Sequence, residues 1–480
     1  MTSRTRRLAV VLMVAAPLAE VIRHAVLFAG MGATADKDLF DAAWTIPDLM
    51  VLALAGPYLT LALAPAPGNV FGSDRETIRT TTAVVRLVSL VVVTLTALGV
   101  ALSNQLAGVV FPRVADTVAL AGLMRVAFAA AMFVTLGGVL AAAASTRRDG
   151  WLVWMPGVHL LGVVVGGLVA DGPESYGWGR LGGSAAGLIL AAVMASRAGV
   201  TFEWTTPRAH RSLPGRWRTA RPMIVMAVLF GSGAVWIRVA GQFAGEGSLG
   251  VIAAVHALVV LLAAIVGTHG LASPPIVSDN AWLRAAESAA VRLVITRSLL
   301  VAVLVGSLAH PITGVAYQWG LLSPEATDTA AILLMFVAPA IPLVAAAPLY
   351  LRVWAGRRRA AAITGLAGAA VAVAATWAGS QTLGSSGVVL GWVAWSAAIT
   401  IPTAVAWHRA NDRAVLSHLV VSALAAGAGG VIAVLLASVG DRLGVTTPVT
   451  WLVAAGAAVA AWMWVGRLVG LREATVGTAR

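Results

Sequence analysis

Ionisable side chains set inside long apolar runs are the residues of this sequence that can do chemistry. Glu20, Arg23 and His24 fall in or beside the first such run, Asp48 in the second, Arg86 in the third, Arg125 in the fourth and Arg238 in the seventh, with His159, His256 and His269 in the fifth and eighth. A charge in hydrocarbon is costly, so each of these residues is a site candidate. The set is more cationic than acidic. A cavity lined by guanidinium and imidazole suits an anionic ligand, and the planar guanidinium fork matches phosphate oxygens in pairs. Plainer roles stand beside that one. Arg86 and Arg125 can snorkel toward a helix end, His159 can be a satisfied packing histidine, and His269 lies near the end of its run. Glu20 and Arg23 stand at i, i+3 on one helix, where a private ion pair is equally natural.

Other chemistries are excluded or poorly served. The chain has no cysteine, which removes disulfides, thiolate metal sites and thiol catalysis. It has no Gly-x-x-x-x-Gly-Lys-Ser/Thr loop and no His-Glu-x-x-His helix. Asp36, Asp38 and Asp41 cluster in the expected first outward loop, where a membrane glycosyltransferase keeps catalytic acids, but the large outward domain of such enzymes is missing. No enzyme, metal or cofactor is expected. The net charge of +13 does not imply nucleic acid, because the arginines lie in short clusters between apolar runs rather than on one basic face.

The elements that position these residues follow from composition. The chain is 59% hydrophobic and 11% charged, with mean hydropathy +0.89, against about 25% charged in soluble domains. A hydrocarbon core ~30 Å thick needs about 20 residues of helix. The hydropathy predicts about fourteen spans, near 8–29, 42–66, 79–103, 117–145, 150–170, 180–199, 220–242, 248–272, 288–309, 325–350, 359–378, 384–407, 415–438 and 447–470. The first imitates a signal peptide, with Arg4, Arg6 and Arg7 ahead of an apolar stretch, but the run continues to Gly30 and reads as a retained helix. Arginine then alternates by loop. Arg6 and Arg7, Arg75 and Arg79, Arg147 and Arg148, the 200–221 cluster, Arg284 and Arg292, Arg357 to Arg359, Arg409 and Arg413, and Arg472 share one side. The other side carries only Lys37, Arg113, Arg180 and Arg442. The positive-inside rule places both termini in the cytoplasm. Trp44, Trp151 and Trp178 fit interfacial belts, and Gly162 and Gly166 would allow close helix contact.

Several short stretches resemble the MurJ-like flippases of the MviN family. Asp38-Leu-Phe-Asp-Ala-Ala-Trp-Thr-Ile-Pro47-Asp-Leu-Met, running toward Leu63-Ala-Pro65, is similar to that family's first outward loop and second helix. Leu123-Met124-Arg125, Gly247-Ser248-Leu and the stretch from Gly270 to Ser278 match further motifs in order. In that register Arg23 and His256 fall on cavity arginines of the family. Two other cavity arginines fall on Pro17 and Val51, the family's asparagine after Ile-Pro is replaced by Asp48, and Ala129 stands where a proline is expected. The spans that bind sodium in some relatives carry no carboxylate here.

The resemblance implies an all-α polytopic fold of the MOP superfamily, which includes MATE transporters. It implies two pseudo-symmetric lobes, 1–215 with spans one to six and 216–408 with spans seven to twelve, and two further helices in 409–480. It also implies a flippase carrying a polyprenyl-(pyro)phosphate-linked saccharide, lipid II or a related cell-envelope precursor, across the bacterial plasma membrane by alternating access. Arg23 and His256 would hold the pyrophosphate, with Arg125, Arg238, His24 and Asp48 as further candidates. His256 would add a pH-sensitive contact. Two other readings remain open. A small-molecule/proton antiporter on the same scaffold would need an intramembrane acid, for which Glu20 and Asp48 are available. A non-transporting scaffold for cell-wall enzymes would rely on the basic loop 200–221, which otherwise serves as an orientation signal near anionic lipid.

Overall fold

The computed structural model describes residues 3–55, 74–145, 154–197, 233–271, 281–345, 358–410, 421–426, 428–432, 435–436, 439 and 447–468. They are helical throughout apart from short turns. The chain divides into two compact units, Met1–Gly250 and Val251–Arg480. The expected lobe boundary at 215, the basic loop, Leu63 to Pro65 and residues 272–278 of the last motif lie outside the described residues.

The first unit contains α1 (Ser3–Met31), α2 (Ala35–Ala55), α3 (Asp74–Ala101), α4 (Ser103–Val110), α5 (Thr117–Ser145), α6 (Trp154–Val169), α7 (Pro173–Arg197), α8 (233–241) and the first turn of α9 (Ser248–Leu271). The α1–α2 turn is tight. α1 ends on Gly32 at φ 65°, a left-handed conformation that only glycine adopts readily, with its N–H returned to the Phe28 carbonyl. Only residues 32–34 separate the two helices. Lys37, Asp38 and Asp41 therefore sit on the first turns of α2 rather than in the loop expected from hydropathy. α5 starts beside Asp116, whose carboxylate accepts the N–H groups of Val118 and Ala119 as an N-cap. It packs against α2, α3, α4 and α7, around a core that includes Phe40, Trp44, Phe111, Met124, Phe128 and Tyr176. α3 and α4 are bent by 69°.

α6 and α7 meet backbone to backbone. A Cβ at Gly183 would lie 2.9 Å from Gly162 Cα, and one at Gly166 would lie 3.0 Å from Gly179 Cα. The close contact expected of Gly162 and Gly166 is made, against the glycines of α7. Large apolar side chains point outward, among them Leu90, Leu98, Val118, Leu168 and Ile189, a surface suited to lipid rather than water.

The second unit continues α9 and adds α10 (Ala281–Ser307), α11 (Ala309–Tyr317), α12 (Pro324–Val337), α13 (Ala340–Ala345), α14 (Arg358–Ala410), α15 (421–432, in pieces) and α16 (Thr447–Leu468). α10 and α11 form a pair bent by 81°. α14 is two helices, because Gly384 has φ 57° and ψ −134°. A Cβ at Gly391 would come within 2.5 Å of the Thr376 backbone nitrogen, and one at Gly368 within 2.5 Å of Ile399. A straight helix rising ~1.5 Å per residue would hold these pairs more than ~20 Å apart. The chain reverses at Gly384, as the separate spans 359–378 and 384–407 require. By length and apolarity, five described stretches can cross a membrane, or seven if each bent pair is one broken span; the reversal makes one of these, Ile363–Pro402, a hairpin. The described residues thus make a polytopic helical membrane protein.

A buried charge seam in the first unit

The packing of α1, α2, α7 and α8 brings together side chains that hydropathy leaves scattered. Arg23, 3% exposed, pairs with Glu20 one turn earlier on α1, and its Nη2 lies 3.4 Å from His24 Nε2. His24 Nδ1 lies 3.2 Å from Lys37 Nζ, and Lys37 pairs with Asp41 one turn along α2. Lys37 is fully buried, with its ammonium 4.8 Å from the centre of the Phe28 ring. The anticipated Glu20–Arg23 ion pair therefore forms, within a larger network.

Asp38 faces the other way. Its two oxygens accept the N–H groups of Gly247 and Gly250, each at 2.7 Å, around the first turn of α9. There the unpaired N–H groups and the helix dipole favour an anion. Gly247, at φ 77°, packs so closely on Ala33 that a side chain would collide with the Ala33 carbonyl. Two acids of the cluster are consumed by structure, Asp38 capping a helix and Asp41 neutralising Lys37, while Asp36 is exposed.

Deeper on α2, Asp48 joins two arginines. Its Oδ1 accepts from Arg180 Nη2 of α7 at 2.8 Å, and its Oδ2 lies 3.5 Å from Arg238 Nη1 of α8. The Arg180 guanidinium lies 3.8 Å from the centre of the Trp44 ring, a cation–π contact. Arg23 is within electrostatic reach of both Asp48 and Arg180, which makes the whole set one seam. Several of its donors have no hydrogen-bond partner among the described residues: Arg23 Nε and Nη1, Arg180 Nη1, Arg238 Nε and Trp44 Nε1. Buried donors are normally satisfied, so several unsatisfied ones along one seam leave it able to accept a ligand's oxygens.

Of the residues predicted from sequence, Arg23, His24, Asp48 and Arg238 lie in this seam. Arg125 does not, since it is exposed on α5 and donates to Asn104 at 3.0 Å. His256 belongs to the second unit, its ring 4.6 Å from that of Trp392. His159 packs from α6 over Gly187, where a side chain would collide with its ring, but its buried Nε2 finds no hydrogen-bond partner among the described residues, so it is not the satisfied histidine expected. The side chain of His269 is outside the described residues. Sequence reasoning misses Arg180, which counts as a loop residue when the sixth span begins at 180. α7 starts at Pro173, so Arg180 is two turns inside. Trp44, expected as an interfacial anchor, is instead 1% exposed beneath Arg180.

No family model and no curated protein sequence matches the chain. Solved structures do. The lipid II flippase MurJ in an inward closed conformation aligns with TM-score 0.75 at 12% identity, covering 95% of this chain and 96% of that one. An inward-facing multidrug resistance MATE transporter aligns at 0.55 and 14%, covering 87% and 96%. A MOP superfamily transporter from Pyrococcus furiosus, described as having a binding pocket of reversed polarity, aligns at 0.55 and 15%, covering 85% and 95%. These matches carry the expected resemblance at the level of architecture: the chain is a multi-pass membrane protein with the two-lobed fold of MurJ and the MOP superfamily transporters.

Proposed function

We propose that the chain is a flippase moving a polyprenyl-(pyro)phosphate-linked saccharide, lipid II or a related cell-envelope precursor, from the inner to the outer leaflet by alternating access. The observation that carries this reading is Arg23, a buried guanidinium whose Nε and Nη1 find no protein acceptor among the described residues. Arg180 and Arg238 beside it also hold donors in reserve. A pyrophosphate offers oxygens on two phosphorus centres and can accept from several guanidinium edges at once. Arg23 is the primary contact, with His24, Arg180 and Arg238 as its neighbours. The arginine distribution supports placement in a bacterial plasma membrane with both termini cytoplasmic.

The antiporter reading calls for an acid at membrane depth that is open to protons. Asp38 and Asp41 are buried and engaged with backbone N–H groups or a cation, and the more accessible Glu20 and Asp48 are each paired with arginine, which favours the flippase. Reconstituted vesicles carrying a fluorescent polyprenyl-diphosphate saccharide provide the test. Arg23→Ala is expected to slow leaflet exchange at least about tenfold, equivalent to ~1.4 kcal/mol of lost stabilisation. An unchanged rate in a folded variant would remove Arg23 from the site.

A further inference from the structure

Asp48 is the acid that shapes this site most, and its role differs from that of the other three. Glu20 and Asp41 each pair with a cation on their own helix, and Asp38 binds backbone. Asp48 alone among them is bridged to arginines of two other helices, α7 and α8. Its side chain is also more accessible than those of its partners, 26% against 10% for Arg180 and 9% for Arg238. The carboxylate is thus the most open member of this three-residue bridge. The two bonds are unequal, and Arg238 at 3.5 Å is at the limit of hydrogen bonding. A carboxylate has two oxygens to share between two forks, which leaves Arg180 Nη1 and Arg238 Nε unserved.

We propose that Asp48 is a resident counter-anion, which holds Arg180 and Arg238 while the site is empty and must be displaced when a phosphate-type oxyanion binds. This rests on the anion-binding reading above and adds a residue that sets affinity and selectivity. The seam carries little net charge when empty: Glu20, Asp41 and Asp48 offset all but one of Arg23, Lys37, Arg180 and Arg238. An incoming anion therefore competes with Asp48 for the same two guanidiniums and gains only what exceeds the broken ion pairs. Apparent affinity falls by the fraction of protein in which Arg180 and Arg238 are released. A singly charged carboxylate ligand would gain little by this exchange. A diphosphate, with more charge and more acceptor oxygens, gains enough, so Asp48 acts as a filter for highly charged head groups.

The test uses the full chain in zwitterionic nanodiscs, with inorganic pyrophosphate and farnesyl diphosphate as separate probes to distinguish a free oxyanion from a lipid head group. Asp48→Asn removes the competitor's charge while keeping its size. It is expected to tighten binding of at least one probe by about tenfold or more, and Asp48→Asn/Arg180→Gln should lose that gain. Tightening confined to farnesyl diphosphate identifies a lipid source. Unchanged or weaker binding in Asp48→Asn, with Arg23→Ala still weakening the wild type, would make Asp48 a structural brace and overturn the proposal alone. If Arg23→Ala also leaves binding unaltered, or if the wild type and Asp48→Asn bind neither probe, the anion site fails and this proposal with it. Should Asp48→Asn not fold, Arg180→Gln in the wild-type background decides. Displacement predicts at least about tenfold weaker binding, and unaltered binding contradicts it.

Discussion

Among the described residues, the buried polar side chains of the first unit include Arg23, Lys37, Asp38, Asp41, Arg180 and Arg238, whereas the buried polar or charged ones described in the second unit are serines and threonines, such as Thr296, Thr313, Thr376 and Thr400. The second set needs little from its surroundings. Thr313, Thr376 and Ser380 bond to carbonyls of their own helix, and only a few hydroxyls reach across, as Thr400 does to the Leu343 carbonyl and Thr296 to Ser422. A hydroxyl bonded within its helix travels with that helix, whereas a buried ion must keep a partner of opposite charge, on its own helix as Lys37 does with Asp41 or on others as Asp48 does with Arg180 and Arg238. The two units therefore differ in the chemistry of their buried polar side chains among the described residues.

The largest effect expected from this contrast is on the Lys37–Asp41 pair. Lys37→Met or Asp41→Leu alone leaves an uncompensated buried charge and should cost about 3–5 kcal/mol, read from denaturant unfolding in detergent. The double variant should regain most of that loss. Next comes Gly391→Leu in the second unit, where the side chain must enter the Thr376 backbone. Overpacking of this kind costs about 1–3 kcal/mol, measured the same way. Thr400→Val should cost only about 1 kcal/mol, the net worth of one hydrogen bond; a loss equal to that of Lys37→Met would erase the difference between the units. The smallest effect belongs to the exposed pair His310–Asp328 of the second unit, at 2.8 Å with both side chains more than half accessible. His310→Ala should change stability by less than about 1 kcal/mol.

Hydropathy and arginine bias made the polytopic helical frame readable, and the span 117–145 coincides with α5. Arg23, Asp48 and Arg238 were legible as candidates because an ionisable residue in an apolar run has few neutral explanations. Arg180 and Lys37 were not, and Asp41 stood out only as one of a cluster of loop acids. Each lies within two turns of a helix start, where hydropathy windows average it into the loop, and only helix termini fixed by Pro173 and Gly32 reveal that it is inside. Nor could spacing show that Asp48 faces arginines of α7 and α8, since those contacts cross 132 and 190 residues. The stacking of Trp44 under Arg180 is hidden for the same reason, an aromatic near a span end being the usual sign of an interface.

Whether the buried seam of the first unit holds an anionic lipid can be asked directly by native mass spectrometry of the gently extracted protein, wild type beside Arg23→Ala. A flippase of this kind should carry a polyprenyl-phosphate species in the wild type, its mass identifying the attached sugar, and lose it in the variant. A wild type free of any such lipid, or a variant that retains it equally well, would contradict the assignment of the seam as the substrate site.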